Sequence, residues 1–571
     1  MSPRILPDGR VDLEGEVPPV AMSFATTAWN RTGVWRSRAP VFQDRTAPCA
    51  AACPAGEDVP DQLRLAAQGR IADAGALVLA VNPFPATTGR VCPHPCAAAC
   101  HRAALDGALD VPGVERAIGD ALLEAGARAE RAPRAGIRVA VVGAGPAGLT
   151  AASRLAQAGA EVRLLAREGR PGGLLATGIP PYRLPRAVLD AEIARALEGV
   201  TFEGGLRLGA GLELAPLLAE HDAVLVAVGR HAARRLAVPG ATAPGVVDGL
   251  ALLDAVHRGE PAPEGDAAVV VGGGNTALDC ARTLVRLGRK VTLAYRRGQE
   301  DMPAFPDEIA EALEEGVHLE PWALPVEVIL RGGRARWLRL ERARPGPPDA
   351  SGRPRPVPVP GAEFVLPADL VVVAAGETLD ASGLPAAVVR EGDVTVGDDH
   401  RTPVERLFAA GDCLAGGGTV AHAVGSGRRA ADALLAALGV RPVPAGLLAG
   451  RGARPDVVDR ARIRLHAFPL APPVARGRLD VHARLADGAE VRRGFDAARA
   501  RAEASRCLSC GTCTGCDVCR SICPDRAVVR GAPGAYAADP WRCKGCGICA
   551  EECPRGVVDL VLASAAEATR G

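Results

Sequence analysis

Seventeen of the 571 residues are cysteine, and most of them stand at ligand spacings. Near the C-terminus Cys513, Cys516, Cys519 and Cys523-Pro524 form one run, and Cys543, Cys546, Cys549 and Cys553-Pro554 repeat it. A Cys-x2-Cys-x2-Cys-x3-Cys-Pro run gives three thiolates to one iron–sulfur cube and its fourth to a neighbouring one. The doubled run predicts two [4Fe–4S] clusters. One would be held by Cys513, Cys516, Cys519 and Cys553, the other by Cys543, Cys546, Cys549 and Cys523. Zinc also binds Cys-x2-Cys pairs, but the repeated triplet with its Cys-Pro ending favours the clusters.

Nine cysteines remain outside the runs. Cys49, Cys53, Cys92, Cys96 and Cys100 form an array near the N-terminus, and Cys507 and Cys510 precede the C-terminal run without being needed by it. Cys280 and Cys413 are isolated and read as small packed residues. The chain is expected to be cytoplasmic, where thiols stay reduced, so disulfides are not expected.

Two glycine-rich turns carry a second kind of chemistry. The apolar run at 138–142 leads into Gly143-Ala-Gly145-Pro146-Ala147-Gly148 and then a helical stretch. Such glycines permit a tight turn and close approach of backbone to a pyrophosphate, which then sits on a helix N-terminus. The following strand ends in Ala166, where an acid for the ribose hydroxyls is usual; Glu168 is the candidate substitute, against a reading as solvated surface charge. The run at 268–271 leads into Gly272-Gly-Gly274-Asn275-Thr276-Ala277, a second dinucleotide turn. Its next strand ends in Arg296 and Arg297 with no acid, which favours a 2′-phosphate and hence NADP(H). Gly376, just past the apolar run 370–374, is counted with this site. A later segment ends at Gly411-Asp412 and enters a helix after Thr419; Asp412 is placed to bind a polyol hydroxyl.

These turns need elements to hold them. Apolar runs at 139–142, 224–228, 269–271 and 370–374 alternate with Ala/Leu/Arg helices, the signature of parallel doubly wound sheets. The order first site, second site, Gly411-Asp412 predicts that the second nucleotide domain is inserted into the first. The expected fold is α/β: two doubly wound dinucleotide-binding domains, the second (NADP) inserted in the first, flanked by an N-terminal α-helical domain that carries the five-cysteine array and a C-terminal ferredoxin-like α+β domain. The expected boundaries are a loosely ordered arm at 1–44, the helical five-cysteine domain at 45–135, the first dinucleotide domain at 136–245 and 396–440, the inserted NADP domain at 246–395, a Pro/Arg-rich connector at 441–500 and the two-cluster domain at 501–571.

Residues 143–148, 172–185, 272–277, Tyr295-Arg296-Arg297 with Met302-Pro-Ala, and Ala410-Gly411-Asp412 resemble the small subunit of NADPH-dependent glutamate synthase and the electron-input half of dihydropyrimidine dehydrogenase. The resemblance covers about 45–440. It implies FAD at the first turn, NADPH at the second, and flavin contacts from Gly173, Arg183, Asp412 and Thr419. It continues through Asn82-Pro-Phe-Pro, Gly89-Arg-Val-Cys92 and Val114-Glu115-Arg116, and implies two N-terminal clusters, one with a non-cysteine ligand at the place of Glu115. The family's Cys-x2-Cys pair before Cys49 is missing, and the stretch Glu503-Ala-Ser-Arg506-Cys507-Leu-Ser-Cys510 resembles it. On that resemblance Cys507 and Cys510 join Cys49 and Cys100 around one cluster, while Cys53, Cys92, Cys96 and Glu115 hold another. The alternative is a degenerate site with one cluster or none.

The resulting expectation is an NADPH-linked electron-transfer oxidoreductase working with a ferredoxin or another redox subunit, in either direction. The alternatives are the small subunit of glutamate synthase, against which the ferredoxin-like tail argues, and a non-catalytic iron–sulfur scaffold, against which two intact nucleotide turns argue. No acid, base or nucleophile is assigned. A net charge of +1 without a basic stripe argues against nucleic acid, and no apolar stretch reaches the length of a membrane span.

Overall fold

The strand-and-helix alternation read from the sequence builds two parallel sheets. The computed structural model describes residues 4–5, 11–12, 31–441, 456–486, 488–531 and 535–563. They fall into two compact units, one of residues 49–451 and 472–507, the other of 1–48, 452–471 and 508–571.

In the larger unit the first sheet has five parallel strands in the order Leu407–Ala409, Ala223–Val226, Arg138–Val142, Glu161–Leu165, Val200–Glu203. The central strands are buried on both faces, which explains why they read as unbroken Val/Leu/Ala runs rather than alternating ones. Helices Pro146–Gln157 and Val420–Ala437 pack on one face, where Leu149, Leu155, Val424 and Leu434 are fully buried. The second sheet orders Val246–Asp248, Leu370–Val373, Ala267–Val271, Lys290–Tyr295, His318–Pro321, again all parallel. Because the chain leaves the first sheet after Ala223–Val226 and returns beside it with Leu407–Ala409, the second nucleotide domain is inserted into the first.

A third sheet was not expected from the sequence. Strands Ala323–Arg331, Arg334–Pro348 and Pro354–Pro367 form an antiparallel set on the inserted domain. Its prolines concentrate at register shifts and in an edge strand, where a missing N–H costs no ladder bond. That composition hides the strands from a pattern reading.

Short helices Val59–Ala67, Ile71–Leu79, Pro85–Val91 and Val111–Glu124 form the N-terminal helical layer around Leu63, Leu77, Val114 and Ile118. The fully buried Glu192 of helix Arg186–Ala196 accepts hydrogen bonds from the N–H groups of Ala86 and Thr87, each 2.8 Å long. It thereby caps Pro85–Val91 and ties that layer to the first nucleotide domain.

In the smaller unit, helices Val518–Ser521 and Ile548–Glu551 carry Cys519 and Cys549, and hairpin Val528–Arg530/Tyr536–Ala538 follows the first cysteine run. After the second run, Val558–Leu562 pairs antiparallel with Arg38–Phe42. Residues 38–42 are therefore not part of a loose arm; of the rest of that expected arm, 1–3, 6–10 and 13–30 lie outside the described residues, as do 442–455 and 487 of the expected connector. The rest of the connector divides, 456–471 with the smaller unit and 472–500 with the larger. Helix Ala497–Ser505 packs on Val59–Ala67 and Val111–Glu124.

Candidate functional site: a shared nucleotide cleft and grouped thiols

A single cleft of about 250 Å³ runs through the larger unit, lined by Gly143, Gly145, Pro146, Ala147, Glu168, Gly173, Arg183, Asp412 and Thr419 from the first nucleotide domain and by Asn275, Thr276, Asp279 and Phe305 from the second. The first glycine turn and the Asn275-Thr276 end of the second therefore open on one space.

The first turn is shaped for a flat, phosphate-bearing ligand. A Cβ on Gly148 would collide with the Gly143 carbonyl, and one on Gly143 with that of Ala227, so these glycines press the helix onto the sheet. Gly145 is different: its Cβ direction is open, and it stands as N-cap of helix Pro146–Gln157 with no side-chain cap. The uncapped helix N-terminus and the open cradle at Gly145 fit a pyrophosphate. Gly274 repeats this arrangement before helix Asn275–Arg286.

Around these turns the expected residues take unequal places. Asp412 accepts from Gly418 N–H at 2.9 Å, and burial raises its carboxyl pKa. Thr419 caps helix Val420–Ala437 and lies 2.7 Å from His422 Nδ1. Glu168 reaches the cleft but is ion-paired to Arg167 at 2.6 Å. Gly411 donates to Ser426 Oγ at 2.9 Å. Gly148, Gly272, Gly274, Ala277, Gly376 and Gly411 are not among the cleft-lining residues; the Gly376 carbonyl accepts from Arg234 N–H at 3.1 Å.

Arg183 lines the cleft with its guanidinium engaged by carboxylates. Its Nη1 lies 2.7 Å from Asp279 and its Nε 3.1 Å from Glu308, both on the inserted domain. Beneath it Arg282 pairs with Glu308, Glu311 and Glu315, and Tyr182 stacks on Arg286, whose guanidinium carbon is 3.8 Å from the ring centroid. On the other flank His257 of the inserted domain contacts Thr177 O through Nδ1 at 2.8 Å and Arg186 through Nε2 at 2.9 Å. Burial, then the Arg186 charge, lowers its pKa to about 4, so the ring is neutral, with Nδ1–H donating to Thr177. Asp279 was missed from sequence, although it stands one turn after Asn275 on the same helix face.

The two arginines expected at the 2′-phosphate separate. Arg297 is buried, its Nε donating to Pro354 O at 2.7 Å and its Nη2 bonded to Asp349. Its charge is consumed by the third sheet. Arg296 is exposed at the end of its strand.

The thiols gather in groups. Burial, then the Glu57 carboxyl, pushes the Cys53 thiol up to about 12, and Glu115 adds to it. Cys92 and Cys96 are raised by burial first, then by Glu115, with Cys53 and Glu57 contributing to both. Cys53, Cys92, Cys96 and Glu115 are thus neighbours, as the resemblance implied. Glu115 and Glu57 are buried beside Asn82, whose Nδ2 donates to Glu57 at 2.7 Å, while Thr88 Oγ1 bonds Glu115. Burial, then Glu57, raises the Glu115 pKa well above the carboxylate range. Cys49, Cys100 and Cys507 pack on the same helical core; Cys510 belongs to the smaller unit.

In the smaller unit Cys519 is pushed up to about 12 by burial, then by Cys553, Cys516 and Cys513. Cys549 reaches about 11 through burial, then Cys543, Cys523 and Cys546. Each group contains the fourth cysteine of the other run. Among the described residues no three His, Cys, Asp or Glu side chains converge tightly enough for a single metal ion. A [4Fe–4S] cube takes one thiolate on each of four irons, and each of these two groups brings four cysteines together.

Comparison with known proteins agrees with this geometry. Residues 137–427 match the pyridine nucleotide-disulphide oxidoreductase family, and residues 41–127 match dihydropyrimidine dehydrogenase domain II, a 4Fe–4S cluster domain. The chain is 36% identical to the NADP(+)-dependent formate dehydrogenase subunit beta of Moorella thermoacetica, over 81% of this chain and 70% of that one. It is 35% identical to the NADPH-Fe(3+) oxidoreductase subunit beta of Geobacter sulfurreducens, over 68% of this chain, and spans 63% of that relative's length. It is also 35% identical to the glutamate synthase [NADPH] small chain of Escherichia coli, over 68% of this chain and 88% of that one. The FAD/NADP oxidoreductase module and the 4Fe–4S domain read from the sequence are therefore present. No helix among the described residues is long and apolar enough to cross a membrane.

Proposed function

Since the chain belongs to the pyridine nucleotide-disulphide oxidoreductase family, with glutamate synthase small chains among its relatives, we propose that it passes electrons between NADPH and a partner redox subunit through FAD and [4Fe–4S] clusters. The observation that carries this reading is the single cleft onto which the first dinucleotide turn and the Asn275-Thr276 end of the second open. The chemistry supplied by bound flavin is conversion of a hydride, two electrons together, into single electrons that clusters accept. The chain's own work is positional. The Gly145 turn and Asp412 hold the flavin dinucleotide, Asn275 and Thr276 face the nicotinamide nucleotide, and Arg296 meets its 2′-phosphate. Cys53, Cys92, Cys96 and Glu115 hold one cluster, and Cys49, Cys100 and Cys507 contribute to a second. The C-terminal runs hold two more, by the exchanged-cysteine pairing given above. Phe305, whose N–H donates to Asn275 Oδ1 at 3.1 Å, lines the cleft with an apolar ring.

The terminal partner in this reading is a ferredoxin or a larger redox subunit. The two relatives named as beta subunits support a multi-subunit assembly. Anaerobic titration tests the reading: NADPH should bleach the flavin and bring up cluster EPR signals, whereas NADH at equal concentration should not. No bleaching by either nucleotide would refute it and favour a non-catalytic scaffold.

A further inference from the structure

The smaller unit carries an apolar and basic surface beside its second cysteine run. Residues 31–38 lie along residues 540–546. Gly33 N–H donates to Trp541 O at 2.9 Å, Thr32 Oγ1 bonds the Arg542 carbonyl, and Arg36 Nη1 donates to Pro540 O at 2.9 Å. A Cβ on Gly33 would collide with Pro540 O, and one on Gly545 with Arg38 O, so the two segments are in close contact. That packing turns Val34, Trp35 and Trp541 outward, with 70%, 74% and 61% of their surface exposed. Two of the chain's five tryptophans are spent on this patch, a poor use of apolar area unless something covers it.

Cations surround the patch. Residues 31–38 and 539–546 contain Arg31, Arg36, Arg38, Arg542 and Lys544 against Asp539 alone. Arg31 sits over the Trp541 ring at 5.4 Å, Arg542 lies 3.4 Å from Asp539, and Lys544 lies 3.2 Å from Asp525. Cys546 is exposed on the same stretch, and the Arg36 charge acts on the Cys543 thiol. The patch thus borders the thiols assigned to one cluster. Tryptophan anchors ringed by arginine suit a protein interface rather than a small ligand, and an excess of positive charge selects an acidic partner.

We infer that this patch docks an acidic one-electron carrier protein at the cluster of Cys523, Cys543, Cys546 and Cys549. The inference rests on the electron-transfer reading above and names the chemistry of its partner. In each encounter one electron leaves the cluster and reduces one iron centre of the carrier, or the reverse, and no atom is transferred.

The test uses the full-length holoprotein with NADPH, an acidic two-[4Fe–4S] ferredoxin as probe, and a neutral quinone as control acceptor. The variants are Arg31→Glu/Arg38→Glu and Trp35→Ser/Trp541→Ser. Each should raise the KM for ferredoxin by roughly tenfold or more and abolish its calorimetric binding at low salt. The charge variant should also flatten the salt dependence. Iron content and quinone reduction should stay as in the unaltered protein. Unchanged ferredoxin binding in both variants, or no ferredoxin binding by the unaltered protein, overturns the inference. So does a Trp variant that only converts a dimer to a monomer, since a second copy would then be the occupant. Failure of the unaltered holoprotein to reduce the quinone instead sinks the electron-transfer reading, while calorimetry still decides the docking.

Discussion

Replacing Arg183 with methionine probes how the two nucleotide domains are held in register. The side chain is 8% exposed and its partners Asp279 and Glu308 are 6% and 7% exposed, so the change leaves two buried carboxylates facing a thioether. Glu308 keeps Arg282, but Asp279 loses both of its hydrogen bonds to Arg183 Nη1. Removing one partner of a buried pair costs about 3–5 kcal/mol. Because the pair joins residues 182–183 to the inserted domain, the loss falls on the domains' mutual orientation. At one decade per about 1.4 kcal/mol, flavin reduction by NADPH should slow by about a hundredfold or more. The flavin content should be unchanged.

The defect should depend on pH in a stated direction. Burial raises Asp279 to about 6 even though Arg183 opposes the shift. A carboxyl whose folded pKa is raised gives stability at low pH that is lost as pH rises through that value. Without the arginine the pKa rises further, so Arg183→Met should be least impaired near pH 6 and most impaired at pH 8. Stopped-flow flavin bleaching at both values measures this, with Arg183→Lys as the charge-preserving control. Bleaching at the unaltered rate at pH 8 would refute the clamp. Loss of bound flavin would instead favour the direct flavin contact that the family resemblance implied.

Three other outcomes follow from the geometry. Gly145→Ala meets open space at an ordinary φ of −80°, so the protein should fold with unchanged melting yet fail to retain FAD; retained flavin would refute the pyrophosphate cradle. Arg296→Ala should raise the KM for NADPH about tenfold, the loss of one charge-assisted contact, and leave that for NADH alone. Arg297→Ala should lower the melting temperature instead, because it removes both the Asp349 ion pair and the hydrogen bond to Pro354 O; equal nucleotide effects from both would refute the division of roles. Cys523→Ser and Cys549→Ser should abolish the same EPR signal, and Cys553→Ser and Cys519→Ser the other. Loss of one signal in both Cys523→Ser and Cys519→Ser would disprove the exchanged pairing.

Periodicity and short-range spacing made much of this protein legible from its residues. Buried parallel strands read as apolar runs, the glycine turns stand between strand and helix, and the cysteine runs fix their own cluster type, because all three signals lie within a few neighbouring residues. The insertion of one nucleotide domain in the other followed from the order of those signals. What lay beyond sequence depended on partners far away in the chain. Arg296 and Arg297 are adjacent and chemically alike, yet only folding of residues 323–367 buries Arg297 against Asp349 and leaves Arg296 exposed. Arg183 lines the nucleotide cleft, and only folding brings Asp279 and Glu308 against its guanidinium. Residues 38–42 carry no strand signal strong enough to stand alone and become a strand by pairing with 558–562. The sequence determined which chemistry the chain can carry, since ligand type and turn geometry are local. The tertiary structure decided which charges remain available for it, since a buried ion pair is settled only when its two halves meet.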